Sequence, residues 1–171
     1  MTEQRQYSTR RGYLAALGVG ATVGLAGCSE SDGAATETAV PEDTVRMVTE
    51  KGRFFYFNPV GLFVAPGTTV RFVNASGGHS STAYPDRIPD GAEPWDSTVL
   101  TAEGAVYEHT FEVEGTYDYY CIPHISSGMV ARIVVGEPGG PAEGSMPPDG
   151  KVPESDRIVE NGSVSYDDFT G

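Results

Sequence analysis

From residue 44 onward the chain places apolar residues in short runs with a two-residue period, the mark of strands rather than helices. ThrValArgMetValThr at 44–49 alternates around Val45 and Met47, and PhePheTyrPhe follows at 54–57. LeuPheVal at 62–64 and ThrValArgPheValAsn at 69–74 come next, with Pro66-Gly67 as the turn between them. ValTyrGluHisThrPhe at 106–111 continues the pattern. Tyr117, Tyr119 and Cys121 then share one face of a further run, and MetValAlaArgIleValVal at 129–135 completes about seven strands. No stretch carries a convincing amphipathic helix. Short strands separated by turns predict an all-β protein, an antiparallel Greek-key β-sandwich of about seven to eight strands with flexible N- and C-terminal extensions. Residues 75–105 form one long Gly/Pro/Asp-rich connection holding Trp95, and ordered loops of that length usually serve or shield a site.

The two ends read differently from the middle. Thr9-Arg10-Arg11-Gly12-Tyr13-Leu14 matches a twin-arginine export signal, and the Gly/Ala-rich run after it is short for a membrane span. The run ends in Leu25-Ala26-Gly27-Cys28, which resembles a lipobox. Residues 1–27 are therefore expected to be a lipoprotein signal peptide, with Cys28 the lipidated first residue of the mature chain. Residues 28–43 are small, polar and acidic, a tether that holds a domain roughly 20 Å from its anchor by random-coil scaling. The globular domain is expected over 44–137. Residues 138–171 open on Pro138-Gly139-Gly140-Pro141 and stay acidic; ArgIleValGluAsnGlySerValSerTyr carries weak alternation of a docking strand. Composition favours an acidic linker and disordered tail there.

Charge narrows the partners. Lys plus Arg total 11 against 24 Asp plus Glu, for a net charge of −13, and Lys51 and Lys151 are the only lysines. No basic stripe exists to neutralise phosphates, which argues against nucleic acid. A strongly acidic, lysine-poor surface also fits a halophilic source, where negative charge keeps a protein hydrated in brine. The chain holds 2 cysteines; with Cys28 in an export signal and Cys121 among metal-ligand types, no disulfide is expected.

The chemistry lies in CysIleProHisIleSerSerGlyMet, residues 121–129. Cys121, His124 and Met129 put a thiolate, an imidazole and a thioether on one tight loop between two strand ends. One more imidazole makes the His2Cys set with a weak axial Met that holds copper for electron transfer. His79, in AsnAlaSerGlyGlyHisSerSer after a strong strand, supplies it. Zinc prefers four Cys/His ligands, and methionine is a poor donor to it. Pro123 removes a backbone N–H beside the thiolate. His109 falls in phase with Tyr107 and Phe111 and is expected to be a partly buried, hydrogen-bonded histidine rather than a ligand. Tyr120 is out of phase with Cys121 and is expected to face solvent.

These residues resemble the blue copper proteins of the plastocyanin, amicyanin and halocyanin group. The resemblance is carried by Gly115-x-Tyr117-x-Tyr119-Tyr120-Cys121-x-Pro123-His124-x3-Gly128-Met129, with Val64-x-Pro66-Gly67-x-Thr69-Val70-x-Phe72-x-Asn74 and His79 upstream. It covers roughly residues 44–137. One position departs from the pattern: Ser80 follows His79, where the family often has Asn, whose bond normally ties the two ligand loops together. The resemblance implies one type 1 copper ion and a mononuclear electron carrier, not an enzyme. Membrane or extracellular redox proteins would be its donor and acceptor, with Tyr120 beside an electron path. With the lipobox it implies anchoring at the outer face of the cytoplasmic membrane. The alternative reading is a copper-delivery or copper-storage lipoprotein, which would hand its metal readily to an apo-acceptor. A multicopper oxidase or reductase fails on counting, since only 3 histidines are present, unless the chain supplies one domain to a larger assembly. Apolar residues around His124 (Ile122, Pro123, Ile125 and Gly128, joined by Pro59, Val60 and Gly61) are expected to frame the electron entry.

Overall fold

The computed structural model describes residues 43–170; the signal peptide, Cys28 and the tether lie outside the described residues. The strands are β1 Thr44–Glu50, β2 Phe54–Asn58, β3 Gly61–Val64, β4 Thr68–Asn74, β5 Thr82–Ala83, β6 Val106–Phe111, β7 Gly115–Tyr120 and β8 Val130–Val135. Beyond them come a 3-10 turn Pro141–Gly144, helix α1 Ser155–Asn161, β9 Ser163–Val164 and helix α2 Tyr166–Thr170. One sheet has the order β2-β1-β4-β6 and the other β5-β7-β8-β3-β9.

The alternation read along the chain becomes the core. Val45 and Met47 of β1, Val70 and Phe72 of β4, Tyr117 and Tyr119 of β7 and Ile133 of β8 belong to one buried cluster supplied by both sheets. Trp95, from the long 75–105 connection, joins it and stacks near Phe72, with ring centroids 6.2 Å apart. That connection is therefore an ordered cover, and it also contributes β5.

Two features differ from the expectation. The sheets are mixed: β1 runs parallel to β4 and β3 parallel to β8. A period of two reports which face of a strand is buried, and that period is the same for either direction. The second difference is larger. Residues 138–170, expected as a linker and disordered tail, are folded onto the domain. Ile158 of α1 is fully buried, and Gly61 lies so close beneath it that an added Cβ would sit 2.7 Å from Ile158 Cγ1. β9 pairs with β3.

Besides these apolar contacts, charge and backbone hold the segment in a way that an apolar pattern does not register. Asp118 is fully buried between Arg132, whose Nε donates to Oδ1 at 2.8 Å, and Arg87, whose Nε donates to Oδ2 at 2.9 Å. Both guanidiniums have donors left over, and both reach Ala142 O in the 3-10 turn, at 2.9 Å from Arg132 and 3.1 Å from Arg87. Arg132 also donates to Ser155 Oγ at 3.3 Å, at the start of α1. Buried charge is tolerated only when paired and hydrogen-bonded, so the segment completes the solvation of two arginines that the sheet alone leaves half satisfied. Asp118→Ala is expected to cost about 3–5 kcal/mol, the range for stripping one partner from a buried ion pair. Chemical denaturation of the variant against the unaltered protein measures it.

Candidate metal centre

Three sequence-predicted ligands meet at one end of the sandwich. His79 follows β4 at the end of the loop 75–79, while Cys121 leaves β7 and His124 lies in the 3-10 turn Ile122–Ser127. Cys121 Sγ is 3.5 Å from His79 Nδ1 and 3.4 Å from His124 Nδ1, and the two Nδ1 atoms are 3.2 Å apart. Ligand bonds of about 2.0–2.3 Å set donors around one ion a little over 3 Å apart, which is the separation found. Cys121 is a free, fully buried thiol and His79 is fully buried. Met129, just before β8, is almost fully buried. Its backbone belongs to the same unit: Cys121 N–H donates to Met129 O at 3.0 Å, and Met129 N–H to His124 O at 3.3 Å. Gly128, at φ 78, makes the left-handed turn that ends the loop.

The pocket is built to keep the imidazoles neutral. Burial, with the neighbouring His124 second, pushes His79 down to about 4. Burial also lowers His124 and raises the Cys121 thiol, the latter opposed by hydrogen bonds that include the Ser80 N–H. A cation among the three donors reverses the penalty on the thiolate. The donor set, two imidazoles and a thiol with a thioether sulfur on the same loop, suits copper far better than a hard ion.

Several supporting residues escaped the sequence reading. His79 Nε2 lies 2.9 Å from Thr49 Oγ1; an Nε2–H donated there is the tautomer that leaves the Nδ1 lone pair facing the other donors. Thr49 shares its face of β1 with Val45 and Met47, and a hydroxyl on an otherwise apolar face was the available signal. The Asn74 amide nitrogen lies within 3.0–3.1 Å of the carbonyls of Gly77, Leu100 and Ala102, fixing the loop that carries His79. Phe55 stacks on the His124 ring at 3.8 Å between centroids and an interplanar angle of 9°. Its phase with the buried Phe57 points to that face.

Ser80 takes over the tie between the loops. Its hydroxyl accepts the Ile122 N–H at 2.9 Å and its own N–H donates to Cys121 Sγ at 3.4 Å, so the two ligand loops remain bridged without an Asn. His109 is no ligand: it stacks on Trp95 at 4.8 Å, and among the described residues no side-chain hydrogen bond to it is found, against the expectation of one. Tyr120 does not face solvent freely either. It packs with Tyr84, centroids 4.5 Å apart, in a cluster completed by Val130 and Val152.

A profile of copper-binding proteins of the plastocyanin/azurin family matches residues 43–136. Pseudoazurin of Methylorubrum extorquens is 33% identical over 122 residues, covering 71% of this chain and 77% of that protein. Chloroplastic plastocyanin of Chlamydomonas reinhardtii is 35% identical over 65% of this chain and 79% of its own. Among solved structures, a pseudoazurin from Methylobacterium extorquens superposes with a TM-score of 0.54 at 27% identity, covering 70% of this chain and 94% of that one.

Ser80→Ala keeps the fold but removes the hydroxyl bridge to Ile122. The expected result is a loss of metal affinity of about tenfold, the lower end for residues that orient ligands. Competition for copper against a chelator of known affinity reads it.

Proposed function

The chain belongs to the plastocyanin/azurin family of copper-binding proteins, and from that premise we propose a blue copper electron carrier tethered to the outer face of the cytoplasmic membrane. The observation that carries the reading is the convergence of His79, Cys121 and His124 on one buried point. We assign these three as ligands to a single copper ion, with Met129 as the weak axial donor. When bound, the copper supplies a reversible one-electron couple, the thiolate gives intense colour, and the thioether favours the reduced state.

The protein's own groups do the rest. Thr49, Asn74 and Ser80 hold the donors in place, so little rearrangement accompanies a change of charge. Cys121 is itself fully buried, which keeps water from the thiolate. Phe55 covers one face of His124, which remains partly exposed. Exposed apolar side chains surround that end: Ile122 is 42% exposed and Val99, next to the His79 loop, 44%. Of the second loop expected to join them, Val60 and Gly61 are buried, Gly61 beneath Ile158 of α1 and Val60 bonded through its N–H to Val164 O of β9. Ile125 is partly buried against the Tyr84 cluster. A small apolar patch suits brief docking with a redox protein, since transient complexes need little area. The acidic remainder selects among partners less strongly in high salt. The role is one of transfer between proteins, with no substrate turned over.

Copper-loaded protein is expected to exchange electrons reversibly with a one-electron reagent such as hexacyanoferrate without losing metal. Ile122→Glu should slow exchange with a membrane redox partner severalfold at unchanged colour and potential. Stopped-flow rates decide: an unaltered rate would put the entry face elsewhere, and release of copper on each cycle would favour metal delivery.

The lipobox Leu25-Ala26-Gly27-Cys28 and the twin arginines Arg10 and Arg11 support export and a lipid anchor at Cys28. Cys28→Ser is expected to release the folded domain or leave the precursor unprocessed. Membrane fractionation and the mass of the product check it, and unchanged retention and mass would contradict lipidation.

A further inference from the structure

The C-terminal segment reaches the ligand loop itself. Gly150 lies so close that an added Cβ would sit 2.7 Å from Val130 Cγ2 and 3.1 Å from Gly128 O. In return, a Cβ on Gly128 would sit 3.5 Å from Asp149 O. The backbone of the segment thus bears on both neighbours of Met129.

That bearing is fastened. Tyr84 Oη donates to the Asp149 carboxylate at 2.7 Å, and Val152 is buried with Tyr84 and Val130. Upstream, Ala142 O is held by Arg87 and Arg132. Downstream, Pro153 packs over Gly61, whose added Cβ would lie 3.2 Å from Pro153 Cγ.

Met129 needs such support more than the other donors. A thioether binds copper weakly, so the metal does not fix its own distance to the sulfur. Met129, Gly128 and Gly150 all border one open cavity of about 540 Å³, lined also by Phe55, Val60 and Phe169. Side chains do not fill the space beside the loop, so the close backbone approach at Gly150 is what limits its movement.

We propose that residues 147–152 are a backstop for the copper loop, with Gly150 the contact residue and the Tyr84–Asp149 hydrogen bond its tie, so that the C-terminal segment sets the reach of Met129 and through it the redox poise. Gly150, Asp149 and Tyr84 are positioning residues. The inference rests on Met129 being the axial donor.

A double-variant cycle on the copper-loaded protein tests it, with reduction potential and EPR spectrum as readouts. Gly150→Ala is expected to shift the equilibrium with a fixed reference couple by about threefold or more and to alter the EPR spectrum. Gly144→Ala, in the same segment but with open space around its added Cβ, should change neither. In the Met129→Leu background, Gly150→Ala should add nothing to the shift made by Met129→Leu alone. Tyr84→Phe, a milder change, should give a smaller shift with the same dependence on Met129. No shift from either Gly150→Ala or Tyr84→Phe overturns the proposal, as does an equal shift in both backgrounds, which would mean a route other than Met129. If Met129→Leu by itself moves neither potential nor spectrum, the axial assignment is wrong and the backstop falls with it; a normal response to Met129→Leu with an inert Gly150→Ala removes the backstop alone.

Discussion

Two imidazole nitrogens and a sulfur held 3.2–3.5 Å apart in a buried pocket satisfy one another only in part, because a thiol has one proton to donate and two nitrogens face it. The remaining lone pairs face one another, and burial disfavours a charge on any of the three. Something outside must hold them together until a cation arrives, and much of the nearby structure can be understood as that restraint. The Asn74 amide fixes one loop, Ser80 bridges it to the other, and Thr49 turns the His79 ring. Each restraint comes from a different element, β1, β4 or the start of the long connection. The site therefore assembles only when the first sheet has closed over the second.

The same logic extends to the far side of the second sheet. Asp118 lies on β7, three residues before Cys121, and its two arginines gather the 3-10 turn and the start of α1. A carboxylate shared by two guanidiniums leaves donors unsatisfied, and carbonyls from the C-terminal segment supply the missing acceptors. The segment thereby covers Val60 and Gly61, closes the Tyr120 flank and comes to rest against Gly128. The Ile122 and Val99 side of the copper end stays exposed. One network of buried charge thus fixes both the stability of the second sheet and the surface that remains open.

How much of this was legible in the sequence depended on the kind of interaction. The strands were, because Val45, Met47, Val70 and Phe72 bury on a two-residue period. The candidate donors were, because thiolate, imidazole and thioether types at C-x2-H-x4-M spacing have few other uses, and three of them converge on one point. Strand direction was not, since the pairing of β1 with β4 leaves no trace in alternation. The fold of 138–170 was missed because its buried apolar residues, Val152, Ile158 and Val164, are few and widely spaced, and because it is also held by Arg87 and Arg132 through a backbone carbonyl. Ser80 was read as a departure from the family pattern, yet a hydroxyl at that position makes the same bridge. Phe55 and Thr49 carried usable signals, an aromatic in phase at a strand end and a hydroxyl on an apolar face.

The central claim is that His79, Cys121, His124 and Met129 hold one copper ion in a thiolate-dominated site. Visible and EPR spectra of the Cu(II)-loaded, unaltered protein test it most directly. The account predicts an intense visible thiolate-to-copper charge-transfer band and an unusually narrow copper hyperfine splitting, the signature of strong covalency with sulfur. A pale protein with the wide hyperfine splitting of a tetragonal nitrogen and oxygen site would contradict it.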